Sequence, residues 1–503
     1  MKILFIYPLL SDSFWSYKGV LKFTTKKAYL PPLGILTVAA MLPENWDLKL
    51  IDMNVGPLTD GEIEQADYIF LSAMTIQRES AAEVIKRCKK SGKKIVAGGP
   101  LFTADFDEFA EVDHIVLGEA ESVIQKLIED LENGCAKHLY RSEYFVELSE
   151  SPVPRWSLIN VQDYLSLSMQ SSRGCPFDCE FCDVVVLNGH KLRTKTPKQI
   201  ISELEEIYRV GCRGDVFVVD DNFIGNKRII KDDILPAMIE WSDRKKFHFW
   251  FATQVSINMA DDVVLMDEMF KAGFYKVFVG IESVSQESLS ECGKVNNKNR
   301  NMVTAVQTLQ NHGFEVQAGF IVGFDSDPES IFQDQINFIQ ESGIVVAMVG
   351  LLGAPKGTKL YQRLKSENRL LTEWAGDNVS CDLNFIPKMD SQKLLKGYKT
   401  ILRTVYNPRY YYQRINTLLQ QYKLRSYPQD RRDSVSLWDT LKTSVRNLKV
   451  VVFLGFLKSG RWSFWKLFIS LLHKKPAALP ILMNLAVQSY YFKKFSRKLI
   501  KST

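Results

Sequence analysis

Histidine is scarce in this chain: there are six among 503 residues, and none belongs to a closely spaced pair of metal ligands. His190 and His248 are therefore expected to be structural rather than catalytic. Cysteine is limited to eight residues, of which three stand close together and no second Cys-x2-Cys pair follows. Because structural zinc sites usually take four ligands, often from two such pairs, the missing pair argues against zinc.

Several common motifs are absent as well. No GxGxxG follows the first predicted strand, which argues against a dinucleotide, and no GxxxxGK[ST] occurs, which argues against a P-loop. No apolar run approaches the about 20 residues that span a bilayer, since the longest uncharged stretch, 476–492, contains two prolines, Asn484 and Gln488. Met1-Lys2 leads directly into an apolar strand-like run, so no signal peptide is expected. We expect a cytoplasmic protein.

Acidic residues are missing from the end of the chain. Residues 441–503 hold thirteen Lys and Arg and no Asp or Glu, whereas the formal net charge of the whole chain is +6. The remaining residues therefore carry a net charge of −7 (+6 less 13). A basic end on an acidic body predicts an anionic partner for that end.

Residues 1–140 alternate apolar runs with helical patterns. This alternation predicts an α/β domain of the doubly wound, Rossmann-like kind, with a parallel sheet covered on both faces. The predicted strands are Ile3–Tyr7, Leu48–Ile51, Tyr68–Leu71, Lys94–Ala97 and His114–Leu117. The predicted helices are Leu33–Leu42, Gly61–Gln65, Ser80–Lys90 and Phe106–Glu111.

Polar and glycine residues follow these strands, at the edge where such a domain binds its ligand. Glycine there lets a bulky ligand approach the backbone. Met74 is also compatible with a core position, and Gln77 with the start of a helix. The candidate ligand-contacting residues are Asn54, Ser72, Met74, Gln77, Gly98, Gly99, Gly118 and Glu119.

A second α/β unit is predicted for residues 168–365, after a linker at 141–167 that contains Pro152 and Pro154. The predicted strands are Leu167–Ser171, Asp215–Val219, Phe247–Thr253, Lys276–Gly280, Gln317–Val322 and Ala347–Leu352; the predicted helices include Pro197–Val210, Asp261–Lys271 and Asn299–His312. Six strands fall short of the eight of a full barrel, so we expect a partial (β/α)6 barrel.

Barrel active sites gather at the carboxyl ends of the strands. Here those ends carry six candidate residues, which are Asp220, Asp221, Gln254, Glu282, Ser283 and Ile321. Each is a weak indication alone, because acidic residues at strand ends are commonly solvated. Their order along one barrel makes the set more specific.

The most informative stretch is Ser171-Ser172-Arg173-Gly174-Cys175-Pro176-Phe177-Asp178-Cys179-Glu180-Phe181-Cys182. Thiolates are the usual protein ligands of iron–sulfur clusters. Three cysteines cannot fill the four corners of a [4Fe–4S] cube, so one iron would stay open to a substrate or cofactor. The spacing therefore favours a reactive cluster held by Cys175, Cys179 and Cys182. We interpret Cys88, Cys135, Cys212, Cys292 and Cys381 as ordinary thiols.

The Cys-x3-Cys-x2-Cys spacing, with Phe181 before the third cysteine, resembles the radical S-adenosylmethionine (SAM) enzymes. The resemblance implies that the three cysteines hold a [4Fe–4S] cluster whose open iron binds SAM, and that a 5′-deoxyadenosyl radical abstracts hydrogen from an unactivated carbon. Gly280-Ile281-Glu282-Ser283 is similar to a segment of that family that contacts the ribose and methionine of SAM. The resemblance also implies that Asp220 and Asp221 contact SAM and that Ile321 lies beside its adenine.

The N-terminal domain resembles the cobalamin-binding domain that is fused to many of these enzymes. That domain commonly carries an Asp-x-His-x-x-Gly motif, whereas this chain has Asp52-Met53-Asn54 and no histidine at the matching place. Cobalamin is thus expected without histidine ligation. Leu30-Pro31-Pro32-Leu33-Gly34 and Gln77-Arg78-Glu79-Ser80 are similar to features of the subgroup that contains hopanoid C-2 methylase. The implied reaction is C-methylation with methylcobalamin, and the implied electron donor is a flavodoxin or ferredoxin.

Residues 366–503 change to helical patterns rich in aromatic and basic residues. Predicted helices are Ser391–Tyr406, Pro408–Tyr422 and Val435–Leu448. Short apolar segments interleaved with Lys, Arg and Trp are typical of chains that lie in a membrane interface. The alternatives are a basic lid on the barrel and a nucleic-acid-binding tail, of which we disfavour the second.

Two further enzyme classes and one binding function stay open from the sequence. A tRNA methylthiotransferase would need more cluster cysteines in the N-terminal domain, which offers only Cys88 and Cys135. A radical cyclase or rearrangement enzyme would need no net methylation. A metal-stabilised binding protein would leave the polar strand ends unexplained. The substrate is predicted only as a lipid or another small molecule.

Overall fold

Two parallel β-sheets form the framework of the computed structural model, which describes residues 1–247, 249–424 and 449–501. The first sheet has six strands in the order β2-β1-β3-β4-β5-β6. Their bounds are Lys2–Tyr7 (β1), Asp47–Asp52 (β2), Tyr68–Ser72 (β3), Lys94–Gly98 (β4), His114–Leu117 (β5) and Leu139–Arg141 (β6). The five predicted strands all occur. Sequence reasoning missed β6, a three-residue edge strand that is too short to show a periodic pattern.

Helices cover both faces of this sheet. They span Leu33–Met41, Asp60–Gln65, Arg78–Lys90, Pro100–Asp105 and Ile124–Glu132, whereas the short helix Lys18–Leu21 contacts the last helix, Leu479–Lys501. The prediction of a helix at Phe106–Glu111 is wrong. The α-helix begins six residues earlier and spans Pro100–Asp105, and only a 3-10 turn, Phe106–Glu108, follows it. Pro100 at the first helical position fixes this earlier start, since proline is pre-organised for that position.

The second sheet is an open, six-stranded parallel sheet in the order β14-β13-β12-β11-β10-β7, as expected for a partial barrel. Its strands are Ser166–Met169 (β7), Asp215–Val218 (β10), Trp250–Val255 (β11), Phe274–Glu282 (β12), Glu315–Val322 (β13) and Ala347–Leu351 (β14). A two-residue ladder, Ser172–Arg173 (β8) with Arg193–Thr194 (β9), brackets the cysteine stretch.

Helices alternate with the strands of the barrel. They span Val184–Asn188, Pro197–Arg209, Lys227–Ile229, Leu235–Lys245, Val263–Lys271, Gln286–Glu291, Met302–Asn311, Ile331–Ser342 and Lys359–Ser366, with a π-helical turn at Ile230–Ile234. The local sequence explains why helix Pro197–Arg209 begins where it does. Thr196 accepts a hydrogen bond from the backbone N–H of Gln199, and the Gln199 side chain accepts one from the backbone N–H of Thr196, which together form a capping box. Pro197 occupies the first helical position. The domain limits at 140, 168 and 366 stay predictions.

The C-terminal helices pack on the barrel and on the start of the chain. They span Ser391–Val405, Pro408–Gln421, Arg461–Lys474 and Leu479–Lys501, with a π-helical turn at Phe453–Leu457. The Tyr406 hydroxyl donates to the carbonyl of Ala347, the first residue of β14, and Phe492 stacks on Phe14 with ring centroids 4.4 Å apart. The predicted helix Val435–Leu448 and His248 lie outside the described residues.

The amino ends of the barrel strands are sealed by these segments. Lys276 of β12 lies 3.6 Å from Glu315 of β13, and the buried Tyr17 and the half-buried Tyr29 lie near this ion pair. Trp15 packs edge-on against Phe278, which lies two residues beyond Lys276 in β12. The carboxyl ends of the strands are thus left as the accessible end of the barrel. Among the described residues, no helix combines the length and the apolarity needed to cross a membrane.

We expect the tight approach of Gly273 to β11 to be essential for placing β12. Gly273 has φ +105, and an added Cβ would lie 2.4 Å from the carbonyl oxygen of Phe249. Gly273→Ala should lower the free energy of unfolding by about 2–4 kcal/mol, because strain and a clash with backbone add.

Gly211→Ala is the matched control in chemical denaturation. Gly211 has φ +89 but no atom within 4 Å of an added Cβ, so only the conformational strain of about 1–2 kcal/mol should appear. Equal losses for the two variants would contradict the proposed close contact.

Candidate active site at the facing sheet edges

The cysteine stretch forms a loop that is closed by β8 and β9. Gly174 begins it with φ +94, and an added Cβ there would lie 2.6 Å from the carbonyl oxygen of Lys191. The next backbone N–H, of Cys175, donates to the carbonyl of Gly189 at 3.2 Å. Only glycine fits this start, so the loop geometry depends on the residue beside the first cysteine.

The three cysteines are free thiols and half-buried. Burial raises the pKa of Cys175 and Cys179, and raises that of Cys182 to about 12; Cys175 adds to the shift of Cys179, and Cys179 to that of Cys182. Within the described residues, no three ligating side chains meet at a position for a single metal ion. This does not conflict with a cluster, because each cysteine of a [4Fe–4S] cube binds a different iron.

An arginine, Arg363, clamps the middle of the cysteine loop. Its Nε lies 2.6 Å from a carboxylate oxygen of Glu180, the residue between Cys179 and Phe181. The same guanidinium reaches Asp325 at 2.8 Å, and the backbone N–H of Leu360 donates to the Glu180 carbonyl at 2.9 Å. The helix after β14 therefore fixes the loop, a contact that sequence reasoning missed.

The two aspartates after β10 have different surroundings. Asp220 is fully buried and accepts hydrogen bonds from the Ser171 N–H at 2.7 Å and the Ser172 hydroxyl at 2.6 Å. It ties the strand end to the start of the cysteine loop. Asp221 accepts from the Asn188 amide at 3.0 Å, and burial raises its pKa to about 6. A SAM contact for either residue stays a prediction, and the geometry favours Asp221 over Asp220.

Glu282 has unusual backbone geometry at the end of β12. Its φ of +63 is rare for a residue with a Cβ, and the register between β12 and β13 shifts at this point. Its carboxylate lies 2.8 Å from the ammonium of Lys294, and this buried partner raises the lysine pKa. Strain of this kind clusters at functional sites. Sequence reasoning found Glu282 but missed Lys294, which lies twelve residues later in a 3-10 turn region.

The remaining barrel candidates are Phe181, Gln254, Ser283 and Ile321. Phe181 and Ile321 belong to one apolar cluster with Phe324, and the Gln335 amide donates to the Ile321 carbonyl at 2.8 Å. Ser283 is buried, and its hydroxyl accepts from the Ser285 N–H at 3.2 Å. Gln254 is half-buried at the end of β11. Their contacts to SAM stay predictions.

A cavity opens at the carboxyl edge of the N-terminal sheet. Four of the predicted residues line it, which are Ser72, Gly98, Gly99 and Gly118. Gly34 of helix Leu33–Met41 also lines it and was missed, because a glycine inside a helical pattern gives no signal of a cavity. Small residues on both sides leave room for a bulky group between sheet and helix.

The other predicted residues of this domain have structural partners. Asn54 donates to the Pro8 carbonyl at 3.2 Å, and the buried Gln77 amide donates to the same carbonyl at 2.6 Å. Both tie the loop after β1 to neighbouring strand ends. Met74 is 40% exposed at the same edge. Roles for these three in binding a cofactor stay predictions.

Glu119 joins the two sheets. It accepts from Arg193 at 2.7 Å and from Arg173 at 3.2 Å, and Arg173 also pairs with Glu121 at 2.7 Å. Arg173 directly precedes Gly174 at the start of the cysteine loop. The geometry therefore favours Glu119 as an anchor of that loop, and contact with a cofactor stays a prediction.

The two sheet edges face each other across a second cavity. Thr75 and Asp105 line it from the N-terminal domain, and Asp183 and Val186 line it from the segment after Cys182. Lys356 crosses the gap and lies 3.7 Å from Asp105. A group bound at one edge would thus meet a group bound at the other.

Family models match most of the chain. Residues 22–128 match the B12 binding domain, residues 169–339 the Radical SAM superfamily, and residues 358–503 a domain of unknown function, DUF4070. The fold and site together define a cobalamin-dependent radical SAM enzyme.

Known proteins place the chain more narrowly. It is 30% identical over 476 residues to hopanoid C-2 methylase of Rhodopseudomonas palustris, covering 92% of this chain and 88% of that protein. It is 39% identical over 417 residues to an uncharacterized methyltransferase, sll1242, of Synechocystis sp., covering 82% and 78%. The chain belongs to the cobalamin-dependent radical SAM methyltransferase family.

Solved structures agree on the fold. OxsB with aqua-cobalamin bound aligns with a TM-score of 0.64 at 15% identity, covering 100% of this chain and 80% of that one. TsrM from Kitasatospora setae with cobalamin and a [4Fe-4S] cluster bound aligns with a TM-score of 0.62 at 12% identity, covering 99% of each. The cofactors of this enzyme are a [4Fe–4S] cluster, SAM and cobalamin. The three thiols of the cysteine loop have the chemistry that the cluster requires. Their role as cluster ligands and the placement of cobalamin at the glycine-lined cavity stay predictions.

Cys182→Ala should remove most of the iron that binds on anaerobic reconstitution, because one of three protein ligands is lost. Iron and sulfide content measure this directly. Cys212→Ala is the control, since Cys212 is also a half-buried free thiol but lies outside the loop. Full iron retention by Cys182→Ala would contradict the assignment of the cluster.

Gly34→Phe should abolish retention of cobalamin without unfolding the protein. No atom lies within 4 Å of an added Cβ at Gly34, so the ring can enter the cavity. Gly61→Phe is the matched control, because Gly61 is also a helical glycine with an open Cβ position and does not line the cavity. Absorbance of cobalamin after gel filtration gives the result. Equal retention by the two variants would show that cobalamin binds elsewhere.

Proposed function

We propose that this enzyme methylates an unactivated carbon of a lipid. One observation carries the proposal: the cavity lined by Thr75, Asp105, Asp183 and Val186 borders both the segment that directly follows Cys182 and the edge of the N-terminal sheet. A substrate there would reach both cofactor regions. The similarity to hopanoid C-2 methylase supports a lipid, whereas a 24% identical relative, bacteriochlorophyllide d C-12(1)-methyltransferase, keeps other small molecules in consideration.

The protein's own groups have distinct roles in this proposal. Cys175, Cys179 and Cys182 would hold three irons and leave the fourth to SAM. The Glu282 and Lys294 pair would match the ammonium and carboxylate of SAM, since its two opposite charges lie 2.8 Å apart. When bound, the cofactors supply a hydrogen-abstracting radical and a transferable methyl group.

The surrounding residues would protect that chemistry. Phe181, Ile321 and Phe324 form an apolar wall beside the cysteine loop, which would keep water and competing hydrogen donors away. The amino ends of the strands are closed by Tyr17 and Tyr29. One-electron reduction would come from an external donor, for which we propose a flavodoxin or ferredoxin.

The methylthiotransferase alternative is less well supported. Cys88 is buried in the core of the N-terminal domain, and burial raises its pKa to about 11. Cys135 is exposed, beyond the end of helix Ile124–Glu132. These two thiols offer no second cluster site.

We further propose that the C-terminal region contacts a membrane surface. Three apolar side chains near the Lys458–Gly460 turn are highly exposed: Phe456 by 59%, Leu457 by 67% and Trp462 by 78%. Lys458 and Arg461 lie between them in the sequence. Aromatic and basic residues in this arrangement suit a membrane interface.

The methylation proposal is tested with the reconstituted holoenzyme, a reductant and SAM that carries a trideuterated methyl group. Incubated with a pentacyclic hopanoid, the enzyme should give a product in which trideuteromethyl replaces hydrogen, along with 5′-deoxyadenosine and S-adenosylhomocysteine. Mass spectrometry identifies the product, and the Cys182→Ala protein is the control. A hopanoid product that is rearranged without gaining the label would instead establish a cyclase or rearrangement enzyme.

A further inference from the structure

A third cavity lies within the C-terminal helical region. It is bounded by helices Pro408–Gln421 and Leu479–Lys501 and by the Lys458–Ser459 turn. Its lining shares no residue with the two cavities of the active site. Among the described residues that line it, none is acidic, and four are cationic: Lys458, Lys493, Lys494 and Arg497.

Three of these cations belong to one face of the last helix. Tyr490, Lys493, Lys494 and Arg497 follow one another at spacings of three, one and three residues, which places them on a common face. Like charges at Lys493 and Arg497, four residues apart, disfavour a helix. Burial lowers the pKa of Lys493, and repulsion from Arg497 lowers it further. A bound anion would relieve both costs.

Two of the cavity's ammonium groups are held by neutral partners. Lys493 donates to the hydroxyl of Ser459, and Lys458 lies 4.5 Å from the ring centroid of Phe453 and 5.3 Å from that of Tyr490. By contrast Lys498, on the same helix but not in the lining, pairs with Asp12 at 2.9 Å. Within the part of the chain that the structure describes, no carboxylate pairs with the cations of the lining, so their positive charge is available to a ligand.

We propose that this cavity binds a phosphate group, supplied by the headgroup of an anionic phospholipid. Several fixed cations and a hydroxyl around one cavity are the donors that phosphate oxygens require. The exposed Leu457 and Trp462 flank the Lys458–Ser459 turn, so a lipid headgroup in the cavity would bring its acyl chains beside apolar side chains. The choice of lipid over free phosphate rests on the proposed membrane contact; the phosphate site itself does not.

The experiment compares two triple variants of the full-length holoenzyme. The cavity variant is Lys493→Gln, Lys494→Gln, Arg497→Gln. The control variant is Lys466→Gln, Lys474→Gln, Lys501→Gln, which removes the same charge from exposed positions of the same region outside the lining. Binding is measured to inorganic phosphate by calorimetry, and by cosedimentation to phosphatidylcholine vesicles with and without phosphatidylglycerol.

The cavity variant should lose at least about tenfold in affinity for phosphate and for phosphatidylglycerol vesicles, with a much smaller loss for the control. If the cavity variant loses phosphate binding but still binds phosphatidylglycerol vesicles, the phosphate site is supported and its lipid source is overturned. Equal losses in both variants, or no phosphate binding by the wild type, would overturn the site. Cleavage of SAM in detergent solution needs neither vesicles nor phosphate, so it tests the methylation proposal separately.

Discussion

The arrangement of the active site depends on a buried ion network that joins the two sheets. Arg173 and Arg193 flank the cysteine loop on β8 and β9, and both pair with Glu119 at the edge of the N-terminal sheet. A buried ion pair adds little net stability over an apolar contact, but losing one partner leaves a charge buried, at about 3–5 kcal/mol. The network therefore specifies one placement of the loop over the cobalamin-binding domain. Chemistry that passes between two cofactors needs such a fixed placement.

The amino end of the barrel is closed, whereas its carboxyl end faces the N-terminal sheet. The N-terminal segment with Phe14 and Tyr17 enters beneath the strands, and the last helix covers it through Phe492. The chain thus uses its two termini to seal one end of the barrel. Polar strand ends are left at the other end, where Glu282 keeps its strained backbone. The C-terminal helices cover the amino end of the barrel and present basic and apolar residues outward.

Local patterns predicted much of this architecture. All eleven predicted strands occur, and the Cys-x3-Cys-x2-Cys stretch is a loop after the first barrel strand. The errors came where local signals were weak or displaced. The strand β6 has only three residues, too few to show an alternating apolar pattern. One helix begins at Pro100, six residues before its predicted start at Phe106.

The sequence alone determined the strand pattern, the close spacing of the three cysteines and the glycines of the N-terminal sheet edge, because spacing and backbone freedom are local properties. Only the tertiary structure decided how the acidic candidates divide. Asp220 accepts hydrogen bonds from Ser171 and Ser172, and Glu119 pairs with two arginines, whereas Glu282 pairs with Lys294. Gly34, Arg363 and the cationic face of the last helix also emerged only from the fold. Such roles depend on partners that are distant in the chain, and no local pattern encodes which distant residue a side chain will meet.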